Sequence, residues 1–429
     1  MAGASKFDNS TQDEMSGSGG TESLVEGLFR REAGRLAARL TRLFGPSRLS
    51  LVEDVLQDTF ATALARWPVD GAPDKPAAWL ATVARNKALD RLRREIREQS
   101  FDEALFDALP MTEEPQADLD DTLALMFVAC HPALGEEAQA MLTLKTVCGF
   151  GVNDIARAYL ASADAVAQRL VRAKADIRKL GLTFEIPEGG ALAERLPALL
   201  QAIYLLFTGG YTAAEGEDLI VAEFCVEALR LAELVTRHPV TATGEAHALA
   251  ALLSFQHARA SARIGSSGEL LRLAEQDRRL WDRDLIARGF AHLQDAMSAR
   301  ELSVYHVEAG AAAVHASARD FDSTDWHQLA QYYAMLEELK PTPVVRLNAA
   351  VASAYAEGPQ IALLKLDRLV GDKRMEDYAL FHATRGDLLL KLGRSDAAQV
   401  AFRRALSCPL SDPERAFIAS RADAGPRVS

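Results

Sequence analysis

The sequence predicts an all-α protein. Alanine and leucine dominate and runs of β-branched residues are rare, a composition that favours helix. Apolar residues recur at spacings of three and four, the signature of helices with one buried face. Breaker pairs such as Gly45-Pro46 and Trp67-Pro68 punctuate those segments.

The chain has 429 residues and a net charge of -12. That length suggests two to four domains, each able to bury a core. Such an acidic chain does not coat nucleic acid over its whole surface, so any DNA contact must come from local basic patches. Cys130, Cys148, Cys225 and Cys408 are far apart and form no CxxC. They read as reduced, buried thiols of a cytoplasmic protein, with no metal site or disulfide frame. His131-Pro132 beside Cys130 reads as a helix break. Residues 1–20 are polar and end in Ser-Gly-Ser-Gly-Gly, which reads as disorder and lacks the features of a signal peptide. No run of about eighteen apolar residues occurs, so no membrane span is expected.

A helix is expected over 22–44, stopped by Gly45-Pro46. A second, over 50–66, carries Leu51, Val52, Val55, Phe60 and Leu64 on one side and Glu53, Asp54, Gln57 and Asp58 on the other, closed by Trp67-Pro68. A third runs over 76–98, with Pro76 in its first turn. Leu80, Val83, Leu89, Leu92 and Ile96 fit its buried side. Between 85 and 98 it holds six basic residues against three acidic ones, a local reversal of the chain's sign. Trp79 lies on the Leu80 side and reads as core more readily than as a stacking surface. From 101 to 121 there are eight acids and no base, with Pro110 and Pro115 interrupting. This is a linker that supplies solubility, or one that competes with DNA for the basic helices.

Residues 136–180 hold a helix, the break Cys148-Gly149-Phe150, a short helix VNDIARAYL, a break at Ala161-Ser162, and the long helix ADAVAQRLVRAKADIRKL. Two helices joined by a tight break are the pattern of a helix-turn-helix. Ile155 and Ala156 supply the apolar side of the first, and Asn153 is its candidate cap. Ser162 is placed to cap the second, with Asp164 in its first turn. Val166, Leu170 and Ile177 share its buried side, leaving Gln168, Arg169, Arg172, Lys174, Arg178 and Lys179 outside. Such a side attracts phosphates and can reach base edges.

Two basic helical modules joined by an acidic linker resemble a bacterial RNA polymerase sigma factor of the extracytoplasmic-function type. LVEDVLQDTFATALARWP resembles the polymerase-binding helix of the first sigma domain, and PAAWLATVARNKALDRLRRE the element that melts and holds the -10 promoter region. Residues 136–180 resemble the second sigma domain, which reads the -35 element. LDDTLALMFVACHPAL, QAIYLLFTGGY, EQDRRLWDRDLI, TDW at 324–326 and VVRLNAAVA look like the subgroup with a long tetratricopeptide-like extension. The chain departs from that subgroup at Thr208-Gly209-Gly210-Tyr211, where Asn-Glu-Gly-Tyr is usual, and at Gly151-Val152.

The resemblance implies a first sigma domain over 21–99, the linker over 100–121, a helix-turn-helix domain over 122–183, a hinge over 184–190 and a tetratricopeptide-like domain over 191–422. It implies polymerase contacts at Glu53, Asp54, Gln57 and Asp58. It implies -10 contacts at Asn86, Lys87, Asp90, Arg93 and Arg94, where opened strands need phosphate neutralisation. It implies -35 contacts at Ser162, Gln168, Arg169, Arg172 and Lys174, with Arg169 and Arg172 sharing a side. The partners implied are core RNA polymerase and promoter DNA, with an intramolecular contact between the sigma domains and the C-terminal domain, and neither cofactor nor metal.

Helices in the C-terminal half are expected over 191–207, 217–236, 243–263, 269–298, 301–318, 325–338, 342–356, 359–370, 375–391, 395–406 and 411–422. Counting from Ala379, Gly386, Ala398 and Ala405 fall at positions eight, twenty and twenty-seven, a tetratricopeptide-type spacing of small residues. EQDRRLWDRDLI, with alternating signs, reads as a salt-bridged helix surface. Asp277, His306, Glu308, His315, Asp325 and His327 are the only set resembling an enzyme's, at spacings that do not converge. A ligand or peptide pocket is the better expectation, lined by Tyr305, Trp326, Tyr332, Arg346 and Asn348. The reading is a non-enzymatic sigma factor with a regulatory extension. The alternative is a helix-turn-helix regulator that works without polymerase and senses a ligand through its helical domain.

Overall fold

The computed structural model describes residues 32–96, 115–159, 161–213, 219–265, 271–299, 302–410 and 412–423. The N-terminal segment 1–20 and most of the acidic linker lie outside them. Among the described residues the chain is all-α, without strands. It divides into two compact units, one ending at Tyr211 and the other starting at Thr212.

The first unit begins with α1 (32–44), α2 (Leu49–Asp70) and α3 (Pro76–Ile96). On α2 the buried stripe is Val52, Val55, Leu56, Phe60, Ala63 and Trp67, while Leu64 is 45% exposed. Trp67-Pro68 does not close this helix, contrary to expectation. Pro68 fits within the last turn, and the helix ends where Gly71, at φ 81°, donates its N–H to the Trp67 carbonyl. A left-handed residue is a common helix stop, and glycine adopts it without strain. On α3 the most buried line is Leu80, Ala84, Ala88 and Leu92, with Val83 and Leu89 only half-buried. Alanines there let α3 lie close against α2. Trp79 is half-buried, edge-on to Trp67 at 5.5 Å between centroids.

Next come α4 (Pro115–Ala129), α5 (Glu136–Thr146), α6 (Val152–Ala158) and α7 (Ala163–Leu180). Pro115, expected to interrupt helix in the linker, instead opens α4. Proline needs no amide partner at a helix start and its φ is already set. The amide of Ala165 donates to the Ser162 hydroxyl, so Ser162 caps α7. The cap of α6 falls at Gly151, not Asn153: the Gly151 N–H donates to the Asp154 carboxylate.

The eighth helix, α8 (Gly189–Ala213), corrects two expectations. First, the units do not divide at 184–190. Arg195 on α8 donates to the Phe127 carbonyl at 2.8 Å and lies over the Phe127 ring, so this helix belongs with α4. Second, its stretch Gly189–Gly209 is long and apolar enough to cross a membrane by length and composition. Leu196, Leu199, Leu200, Ile203, Leu206 and Phe207 are buried, although only 39% of the stretch is enclosed.

The second unit holds α9 (Leu219–Arg237), α10 (Gly244–Ala258), α11 (Arg283–Ala296), α12 (Val304–Ser317), α13 (Trp326–Leu339) and α14 (Pro343–Ala356). They are followed by α15 (Pro359–Asp367), α16 (Lys373–Glu376), α17 (Ala379–Lys391), α18 (Ser395–Leu406) and α19 (Asp412–Asp423). The helix expected over 269–298 is not continuous. Asp277 caps a short 3-10 turn, Arg278–Leu280, and Asp282 caps α11 by accepting from the amides of Asp284 and Leu285. Two capping acids start two elements where one was expected. Between them Arg278 turns inward, donating to the His315 and Ala318 carbonyls with its guanidinium 4.3 Å from the Trp281 ring centroid. The small-residue spacing at the C-terminus has a packing reason: a Cβ on Gly386 would lie 2.8 Å from the Phe402 ring, and Ala398, Phe402 and Ala405 are fully buried.

Candidate polymerase-facing and nucleic-acid-facing surfaces

The four residues singled out on α2 split by direction. Asp54 and Asp58 stand one turn apart and share Arg91 of α3, at 3.1 Å and 2.6 Å. The Asp58 hydrogen bond, with both carboxylates close by, raises the Arg91 pKa. Gln57 is exposed. Glu53 instead faces α7 and pairs with Lys174 at 2.6 Å, the two side chains only 15% and 13% exposed. The second carboxylate oxygen, Oε1, is buried without a hydrogen-bond partner. Lys145 on α5 completes this charged junction, where burial lowers its pKa.

On α3, Asn86, Asp90, Arg93 and Arg94 are exposed and Lys87 half-buried. Asp90 pairs with Arg93 across one turn at 3.9 Å. On α7, Gln168 and Arg172 are exposed and hydrogen-bond each other at 3.4 Å. Arg169 pairs with Glu137 of α5. Arg169 and Arg172 therefore do not act alike, and Lys174 is turned away from solvent. Beneath this face Val166, Leu170, Ala173 and Ile177 are buried, as are Ile155 and Ala156 of α6. Burial among these helices pushes the Tyr159 hydroxyl up to about 12.

Sequence spacing did not reveal how tightly the α1–α3 bundle and the α4–α7 bundle close on each other. Arg42 of α1 pairs with Asp121, the last acid of the stretch expected as linker and itself 5% exposed. Asp121 thus engages α1. Arg178 of α7 donates to the Ser47 carbonyl at 3.4 Å. A Cβ on Gly34 would stand 1.9 Å from the Val147 carbonyl oxygen, so only glycine permits α1 to lie this close to the end of α5. At the same junction Arg48, Arg91, Arg94 and Arg178 border an open groove of about 720 Å³ that also holds Asp54. Arg48 and Arg178 join it from positions far apart in sequence, and the convergence of four guanidinium groups suits a phosphate backbone.

In the second unit, Trp326 and Asn348 line one cavity. Tyr332 lines another with His306 and Met335. Tyr305 is 8% exposed in the core, and Arg346 lies on the surface pairing with Glu337. The five expected pocket residues therefore do not form one site. The enzyme-like set is dispersed too. Asp277 and Asp325 cap helices, His306 holds Ser303 at the start of α12, and Glu308 pairs with Lys340. Cys130 contacts the Thr143 hydroxyl at 3.3 Å, and burial pushes its thiol up to about 12. One cluster of metal-ligand type escaped the sequence reading. His247 Nδ1 and His292 Nδ1 are 3.1 Å apart, with Asp295 3.7 Å from His247 and Glu233 3.2 Å from His292 Nε2. His247, His292 and Asp295 are the residues of the described chain that can hold a metal ion together. In the structure the two imidazoles contact each other through Nδ1, and burial lowers the pKa of His247.

Comparison with known proteins gives these surfaces a family. The sigma-70 region 2 family matches residues 28–98, which span α1 to α3. A family of unknown function, DUF6596, matches residues 195–297. The chain is 41% identical over 383 residues to uncharacterized protein R00370 of Rhizobium meliloti (strain 1021), covering 87% of this chain and 90% of that one. No solved structure matches the chain. The chain belongs to one family with that Rhizobium protein, and its sigma-70 region 2 over residues 28–98 supports a sigma factor of the sigma-70 family.

Proposed function

We propose that the chain binds core RNA polymerase and directs promoter-specific initiation as an extracytoplasmic-function sigma factor, with its tetratricopeptide-like second unit regulating that step. The observation that carries the reading is the region 2 match over a bundle with an acidic face on α2 and a basic one on α3. In the same compact unit, the capped pair α6–α7 has the form of a helix-turn-helix. Asp54, Gln57 and Asp58 are the exposed polymerase contacts; Asn86, Lys87, Asp90, Arg93 and Arg94 follow the -10 strands; Ser162, Gln168, Arg169 and Arg172 meet the -35 duplex.

Glu53 and Lys174 give this reading a mechanism. One is assigned to polymerase and the other to DNA, yet they bind each other with both side chains nearly buried. A buried pair contributes little net stability, because desolvation offsets most of the attraction, whereas removing one partner costs roughly 3–5 kcal/mol. Such a pair is suited to exchange. Free protein keeps the two surfaces closed, and polymerase opens them by supplying new partners for both charges. A regulator that works without polymerase leaves the acidic α2 face without a role.

Two charge reversals test the assignments. Arg169→Glu with Arg172→Glu is expected to abolish -35 selection in promoter-binding assays while core polymerase binding persists. Asp54→Lys with Asp58→Lys is expected to do the opposite. Promoter-specific transcription retained by both variants contradicts the proposal.

A further inference from the structure

We infer that the second unit carries a binding site for a small, singly negative organic acid with a flat ring. The site is the cavity of about 300 Å³ where the 272–274 segment, α12, α13, α14, α17 and α19 meet. That volume is at the lower end for small-molecule pockets. It admits one or two rings and is too small for a dinucleotide or a lipid.

The wall supplies a ring platform. Trp326 and Tyr355 stack at 4.2 Å with planes 23° apart, and Phe321 stands against both at 5.0 Å and 5.2 Å. Tyr355 is 43% exposed, so the edge of this aromatic wall is open to the cavity. Aromatic groups prefer such offset or edge-on neighbours.

The charge of the wall selects the ligand's sign. Arg272, Lys391 and Arg421 line the cavity with one carboxylate, Asp387. Arg421 takes that carboxylate through Nε and Nη2 at 3.0 Å and 2.5 Å. Arg272 is paired with Glu275. Lys391, one turn beyond Asp387, has no ion-pair partner among the described residues, and its ammonium sits 4.5 Å from the Tyr355 ring centroid. Burial lowers the Lys391 pKa while Asp387 raises it, and the three cations of this wall exceed the two carboxylates paired with them, Asp387 and Glu275, by one. A carboxylate on the ligand's ring meets Lys391 while the ring lies along the aromatic wall of Phe321, Trp326 and Tyr355. The wall also contains two buried polar atoms without protein partners, Arg272 Nε and His315 Nδ1. Unpaired buried groups cost about 1–3 kcal/mol each, and an anionic oxygen brought against Arg272 relieves one of them. His315 is held neutral by burial, its pKa lowered to about 4, so it adds no further charge.

The test is calorimetric titration of the full-length chain with benzoate, phenylacetate and indole-3-acetate, each beside its uncharged amide. At least one acid is expected to bind saturably, one to one, and roughly tenfold more tightly than its amide, the ratio an energy near 1.4 kcal/mol gives. Lys391→Met, which keeps the apolar stem, should bring the acid down to the amide's affinity and leave the amide unchanged. Tyr355→Ala, at a partly exposed position, should weaken both. No saturable binding by any acid overturns the inference. So does equal binding of acid and amide, or unchanged acid binding by Lys391→Met. Binding only of a peptide ending in a phenylalanine carboxylate also overturns it, by making this a peptide site.

Discussion

In the first unit, Glu53 meets Lys174 from 121 positions away and Arg42 meets Asp121 from 79. In the second, Asp277, Asp282, Asp325 and Asp372 each accept from backbone amides two or three residues on, starting their own elements. Charges of the first kind join separate bundles and are open to exchange with another charged molecule. Charges of the second kind finish local structure and leave recognition to the aromatic cavity. The difference frames the two proposals: the first unit meets partners by exchanging ion pairs, and the second by enclosing a small group.

Lys174→Glu should break this comparison most strongly. It faces Glu53 with a like charge in a nearly buried setting, and a loss on the order of 3–5 kcal/mol from the closed arrangement is expected. Hydrogen exchange over α2 and α7 should accelerate, and adding Glu53→Lys should restore protection. Unchanged exchange in Lys174→Glu contradicts the exchangeable-pair account.

An intermediate effect is expected at His315. Its pKa is lowered to about 4 from the usual 6.5, chiefly by burial. Between those values the unfolded chain takes up a proton that the folded one does not, so stability falls as pH falls through that window. The full shift corresponds to at most about 3 kcal/mol. Unfolding followed by tryptophan fluorescence from pH 7 to pH 4 should show a stability loss that His315→Gln reduces. An unchanged pH slope in the variant would place the titrating group elsewhere. The smallest effect belongs to the local acids. Asp282→Ala should cost about 1 kcal/mol, the usual worth of a cap, visible as a lowered melting temperature of the second unit with no change in DNA or polymerase binding.

Much of the fold was legible because helices announce themselves by period. The α2 and α7 faces follow from Val52, Val55, Val166 and Leu170, and Ser162 caps α7 as its position implied. On α3 the buried line passes through Ala84 and Ala88. Alanine is both a good helix former and a small core residue, so its burial leaves no mark in a hydrophobic pattern. The Trp67-Pro68 stop failed because the helix continues through Pro68 at the cost of one bond to the Leu64 carbonyl and ends at Gly71. The long helix over 269–298 failed because Asp277 and Asp282 read equally well as salt-bridge partners and as caps.

The candidate sites were legible as residue types and much less as partners. Glu53 and Lys174 were both visible, but no local rule pairs residues so far apart in sequence. Trp326 and Asn348 were named for a pocket, whereas Lys391 and Tyr355 come from helices whose approach only tertiary packing fixes. The expected hinge at 184–190 failed for the same reason, since Arg195 reaches back to Phe127.

The most direct measurement is transcription in vitro with purified core polymerase on genomic template, with transcript starts sequenced. It should use the full-length chain and a version ending after Ala213, which retains α8 with the first unit. The account predicts discrete starts that share upstream motifs, present with full-length protein and altered in extent by removal of the second unit. No core binding and no discrete starts with either version would contradict it.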